Sequence, residues 1–189
     1  MTRYARITDD NKCAEFIDFE PQGRFHPSIR WLEVPEALER WVGHDYIAID
    51  DEIQPPSLDH LRGQLKTELA SIRFARETAG VILPDGSKVR TDRESQAQVN
   101  SAYTTLRDGF LPTADFKGAN GWVAITLEEI TPIAKAVAQH VQPCFTAERR
   151  VSEQQIDAVE TLDELLAIDL EAAFVGELEA AKATATAAR

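Results

Sequence analysis

The sequence predicts an α+β protein: a small amino-terminal β module followed by a helix-rich unit with two β-hairpins. Before Pro55-Pro56, short runs of β-branched and aromatic residues are separated by turn residues. After it, apolar residues recur at intervals of three and four. Charge changes at the same place. Residues 1–56 carry 6 basic and 12 acidic side chains, residues 57–150 carry 12 and 11, and residues 151–189 carry 2 and 9, so the acidity lies on the flanks. Consecutive prolines favour an extended, unpaired backbone, which makes the break a linker. The expected division is residues 1–53 as the β module, 54–57 as the linker, 58–175 as the helix-rich domain and 176–189 as an alanine-rich tail.

Tyr4 to Thr8 and Lys12 to Phe19 flank Asp9-Asp10-Asn11, which predicts a hairpin because Asp and Asn satisfy turn backbone with their own side chains. Ile29 to Val34 and Asp45 to Asp50 are two further strands. Between them Pro35 opens a helical turn through Trp41. Beyond the linker, Leu58, Leu61, Leu65, Leu69 and Ile72 draw one apolar stripe along a helix of about five turns, with Gly80 as its stop. Val81-Ile82-Leu83 and Lys88-Val89-Arg90 flank Pro84-Asp85-Gly86, a second hairpin signal.

Thr91 and Glu94 have capping-box spacing before a helix whose apolar face is Val99, Tyr103, Leu106 and Phe110. Phe116 to Thr126 reads as another hairpin turning at Asn120-Gly121, with Phe116 and Trp122 packing it onto the helices. The next helix starts either at Thr126, capped with Glu129, or at Thr131-Pro132. Its stripe is Ile130, Ile133, Val137 and Val141, and Pro143 kinks or ends it. Ser152 with Gln155 and Thr161 with Glu164 open two further helices, the last carrying Leu162, Leu165, Leu166, Leu170 and Phe174. From Ala180 the chain is a helical or frayed tail.

With 189 residues, 43% hydrophobic and 28% charged, the chain has ordinary globular usage, which sets aside disordered and fibrous classes. A net charge of −12 repels phosphate backbones and anionic lipid heads, so neither nucleic acid nor membrane is an expected partner. No apolar run reaches the roughly 20 residues of a spanning helix, and the first ten residues lack the apolar stretch of a signal peptide. The expected compartment is therefore the cytoplasm. Cys13 and Cys144 are too few for a disulfide scaffold.

No catalytic, cofactor-binding or metal-binding set emerges. His140 and Cys144 stand four apart on one helical face, but two ligands do not make a site, and His26, His44 and His60 are scattered. A metal-dependent enzyme is the remote alternative they leave open. Asp50-Asp51-Glu52 lies on the way into the linker. Glu128-Glu129 fills a helix's first turn, where carboxylates complement the dipole, and capping accounts for Glu94. The sequence holds no phosphate-binding glycine loop, no Gly-x-Ser-x-Gly and no His-Glu-x-x-His. Trp31, Trp41 and Tyr46, in the small acidic module, are the candidate partner-contact residues, with service as the module's core the competing use.

Arg73-Phe74-Ala75-Arg76-Glu77-Thr78-Ala79-Gly80, then Asp85-Gly86, Val89 and Thr91-Asp92-Arg93-Glu94-Ser95-Gln96, resemble an uncharacterised domain family common in tailed bacteriophages and prophages. Asn120-Gly121-Trp122-Val123 and the stretch His140-Val141-Gln142, Phe145, Glu148 are similar to its later landmarks, so the resemblance spans residues 57–170. Val42-Gly43-His44-Asp45-Tyr46 ahead of Pro55-Pro56 resembles the short amino-terminal module of tail fibre assembly proteins. The resemblance implies a tail-associated role without catalysis. The protein would be an assembly chaperone for the receptor-binding fibre in the host cytoplasm, or else a structural tail or fibre-adaptor subunit retained in the virion. Its implied partner is the tail fibre or another tail protein, and a homo-oligomer is the other association left open.

Overall fold

The structure is a computed structural model that describes residues 2–118 and 121–187, and it is α+β: a small β region, then helices with antiparallel hairpins. Contacts group the chain into two compact units, Met1–Thr67 with Gln155–Ile168, and Glu68–Gln154 with Asp169–Arg189. Chain order and compactness thus differ. Gln54 ends a strand and Pro55 is buried, so residues 54–57 lie inside the first unit.

In the first unit, β1 (Tyr4–Ile7) lies between β2 (Cys13–Ile17) and β3 (Arg30–Glu33) in an antiparallel sheet. The expected turn at residues 9–11 carries Asn11 at a φ of 60°, a left-handed geometry its short amide tolerates. Strand alternation puts Ala5, Ile7 and Cys13 into a core with Val34, Leu38, Tyr46, Ala48 and Ile53. A 3₁₀ turn at Glu36–Leu38 follows Pro35, as its fixed φ favours.

β4 (Ile47–Ile49) does not lead into a linker. It pairs with β5 (Glu52–Gln54), so Asp50-Asp51 is a two-residue hairpin turn rather than an approach to a linker. Both aspartates take positive φ, 50° and 62°, as a type I′ turn requires, and the Arg30 guanidinium holds Asp51 at 2.6 Å. Burial of Ile53, 2% exposed, recruits the strand. α1 (Leu58–Glu77) starts with Ser57 accepting from the His60 N–H at 3.1 Å and buries Leu61, Leu65 and Leu69. Arg62 donates to the Val159 carbonyl and Lys66 pairs with Asp157 at 2.7 Å, tying residues 155–168 to its first turns.

In the second unit, β6 (Val81–Ile82) and β7 (Lys88–Val89) form the expected hairpin, with Gly86 at a φ of 84°. α2 (Arg93–Arg107) is capped one residue later than its sequence suggests. Asp92 accepts from the Ser95 N–H at 3.0 Å, while Thr91 is fully buried and bonded elsewhere, so Thr91 and Glu94 form no capping box. Val99 and Leu106 face the core as expected. Phe110 lies beyond the helix end, 74% exposed.

β8 (Ala114–Gly118) and β9 (Gly121–Ile125) pair in unbroken antiparallel register, whereas Asn120 of the expected turn lies outside the described residues. α3 (Leu127–Val151) opens on the Thr126–Glu129 capping box, which decides between the two starts. It does not end at Pro143, because the stripe Ile130, Val137, Val141, Cys144, Ala147 and Val151 keeps it buried on both sides of the proline. A π turn, Ser152–Ile156, continues it where a fresh cap at Ser152 was expected. The last expected helix is two helices, α4 (Leu162–Leu166), capped by Thr161, and α5 (Leu170–Ala187), capped by Asp169. α5 lays Leu170, Phe174, Leu178 and Ala181 along one buried stripe, and α3 packs against it. No helix among the described residues is long and apolar enough to cross a membrane.

Candidate functional site

The second unit is held at its centre by a buried polar cluster that strings together residues far apart in sequence. Arg73 donates through Nη1 to Glu77 one turn on, and through Nε to Glu148 of α3 at 2.8 Å. Glu77 is 1% exposed and also accepts from Gln96 Nε2 of α2 at 3.0 Å. The Thr91 hydroxyl donates to the Glu77 carbonyl at 2.6 Å and accepts from the Gly80 N–H at 2.9 Å, satisfying both ends of the turn where α1 stops. The Phe145 ring lies 4.7 Å from the guanidinium. Burial pulls the Arg73 pKa down, and the bonds to Glu148 and Glu77 outweigh it and raise it overall. Arg73 pairs with Glu77 and Glu148, and Gln96 bonds to Glu77, so the cluster ties α1 to α2 and α3.

A surface open to a ligand lies along α2. β8 runs alongside that helix, and between them is an open groove of about 610 Å³. Ala102 and Thr105 of α2, Leu111, Phe116 and Lys117 of β8, and Trp122 of β9 are among its lining. Its elements explain its polarity. Phe116 packs on the Val99–Leu106 core, while strand alternation sends Lys117 and Trp122 to the opposite face. Trp122 is 71% exposed and so does not pack the hairpin onto the helices as the sequence suggested; Phe116 does. Lys117 Nζ sits 5.6 Å from the Trp122 ring. Leu111 is 52% exposed.

Two exposed large apolar side chains, Leu111 and Trp122, line this groove, and three more exposed ones are close by in sequence. Phe110, Leu111, Trp122, Val123 and Leu127 all fall within 18 residues of chain. An exposed apolar lining of that kind suits a surface that binds protein or an apolar ligand. Asp115 and Lys117 are the charged groups lining it, and they oppose each other in sign. The sequence signal was faint, a Gly109-Phe110-Leu111-Pro112 loop and one Trp in a strand.

Of the aromatic residues singled out in the small module, Tyr46 and Trp41 belong to its core and Trp31 to a strand of its sheet. Tyr46 is fully buried and donates to Gln64 Oε1 at 2.8 Å; burial, with Asp45 nearby, pushes its phenol up to about 12. Trp41 packs against the same core, with the Arg40 guanidinium 4.7 Å from its ring. Trp31 is paired with Arg6 across the strands on the outer face, and its ring centroid lies 4.8 Å from that of Phe25.

His140 and Cys144 do not converge on a metal position. The Cys144 thiol donates to the His140 carbonyl and the His140 ring meets the Arg76 carbonyl at 3.0 Å. Burial raises the Cys144 thiol pKa, and it pushes Cys13 up to about 11 with help from Asp45. No group of three or more His, Cys, Asp or Glu side chains fit to hold a metal is found among the described residues.

Residues 60–174 match the model of a protein family described as a domain of unknown function (DUF4376). That stretch includes both the Arg73–Glu77–Glu148 cluster and the α2–β8 groove. No curated protein and no solved structure matches the chain.

Proposed function

The chain belongs to the DUF4376 family, a domain of unknown function, and from that footing we propose that it is a phage tail-fibre-associated protein whose groove holds the receptor-binding fibre during assembly. The carrying observation is that two exposed large apolar side chains, Leu111 and Trp122, line an open groove whose charged lining is one acid and one base. The resemblance of residues 73–96 and 140–148 to a family of tailed phages supplies the partner class. On this reading the protein binds and does not catalyse. It works in the host cytoplasm, shielding apolar strand edges of an unassembled fibre until trimerisation buries them. The acidic flanks keep the complex dissolved and add only screened contacts, which release readily.

The test is co-expression of the chain with the neighbouring fibre gene, followed by mass spectrometry of purified particles. Fibre that is soluble only with the wild-type chain, loss of that effect in Trp122→Ser and Leu111→Ser, and absence of the chain from particles are expected. Stoichiometric presence in particles makes it a structural tail subunit instead. A chain that neither binds fibre nor enters particles overturns the assignment.

A further inference from the structure

β9 presents a bare strand edge. It pairs with β8 on one side, and among the described residues no backbone hydrogen bond joins Gly121–Ile125 to anything else. Alternate N–H and C=O groups of a strand point away from its partner, so this edge is a template for another strand. Edges are ordinarily guarded by lysine, proline, a bulge or a covering element. β9 reads Gly-Trp-Val-Ala-Ile, with no charge and no proline, in a register free of the irregularity that interrupts β1–β2. Its three central residues, Trp122, Val123 and Ala124, are all exposed.

We propose that β9 pairs antiparallel with β9 of a second copy, so that two hairpins join into one four-stranded sheet around a two-fold axis. Charge selects this occupant. In a chain of net charge −12, a symmetric contact through most of the surface sets acid against acid, because each residue meets its own vicinity in the copy. β9 is a charge-free strip on that surface. Beside it, Asp115 and Lys117 offset one another. The register that places Val123 on the axis opposes Val123 to Val123 and Trp122 to Ala124. The two Trp122 rings then become diagonal neighbours on one face, within reach of each other. A two-stranded ribbon is marginal alone and a four-stranded sheet is not, so the pairing also stabilises the hairpin. Trp122 serves both this pairing and the groove, so the pairing is tested at Val123, which does not line the groove. If both readings hold, each dimer carries two grooves, and a trimeric fibre could be gripped at more than one point.

Sedimentation velocity of the purified full chain, from low to high micromolar, should show reversible dimers, with Trp122 fluorescence shifting to shorter wavelength as they form. Val123→Lys and Val123→Glu should each weaken dimerisation by about tenfold or more, because like charges meet on the axis. Val123→Thr should keep it. Mixing the Lys and Glu variants should restore a heterodimer, a readout that misfolding of either variant cannot mimic. A wild-type chain that stays monomeric throughout, dimers that survive Val123→Lys, or a mixture that fails to pair each overturns the assignment. A wild-type chain that stays monomeric alone but binds fibre, with Val123→Lys abolishing that binding, also overturns it and gives the edge to the fibre.

Discussion

Replacing Arg73 with Met should be among the most damaging single changes in the second unit. Arg73 is 8% exposed and Glu77 1% exposed, so the substitution strands a buried carboxylate whose remaining side-chain donor is Gln96 Nε2 at 3.0 Å. It also strips Glu148 of its 2.8 Å partner and Phe145 of the cation beside its ring. Breaking a buried pair by removing one member costs about 3–5 kcal/mol. At roughly 2–4 °C per kcal/mol for a chain of this length, the melting temperature should fall by about 6–20 °C. Glu77→Gln should cost less, about 1–3 kcal/mol, because Arg73 keeps Glu148 and the amide keeps a hydrogen-bonding shape. Arg73→Met combined with Glu77→Leu removes both charges and fills their volume. It should recover most of the loss, with a coupling of about 2 kcal/mol or more. Urea unfolding of wild type, Arg73→Met, Glu77→Leu and the double variant, followed by far-ultraviolet circular dichroism, measures it. A cost below about 1 kcal/mol for Arg73→Met, or single effects that simply add in the double variant, would refute the reading of the cluster as a coupled buried network.

Two further outcomes follow from local geometry. Asp92→Ala should destabilise by about 1 kcal/mol by removing the cap of α2, whereas Glu94→Ala should cost under about 0.5 kcal/mol; the reverse ranking in urea titrations would restore the cap to Thr91 and Glu94. The Cys13 thiol, raised to about 11 in the fold, holds its proton where the unfolded chain gives it up, so its stabilisation is complete below the unfolded value near 9 and is lost as pH climbs through 11. The melting temperature should therefore decline between those values, and Cys13→Ala should flatten that decline; an unchanged slope in the variant would exclude Cys13 as its source.

Elements whose signals sit within four residues were legible in the sequence. Asp9-Asp10-Asn11 announced the first hairpin, the leucine stripe announced α1, Pro84-Asp85-Gly86 the second hairpin, and Thr126 with Glu129 the start of α3. Each is governed by backbone torsions, capping bonds or the period of one helix face, all short-range physics. The acid-rich flanks and balanced centre are likewise properties of the chain alone.

What depended on distant partners was not legible. Thr91 was expected at a cap, and its hydroxyl instead closes the end of α1, because Glu77 and Gly80 come within hydrogen-bond range only after the β6–β7 hairpin turns the chain back. Asp50-Asp51 became a turn because burial of Ile53 supplies what two left-handed aspartates cost. Pro143 stays inside α3 because a stripe buried on both sides of it outweighs one missing donor. The sequence marks Arg73, Glu77, Thr91, Gln96 and Glu148 as landmarks without saying what they do. Arg73 and Glu148 are 75 positions apart, and only the tertiary structure brings their charges into one buried cluster. The same holds for the groove. The sequence reads Trp122 as packing its hairpin onto the helices, yet it is 71% exposed, since alternation fixes which residues share a face but not which face another helix covers.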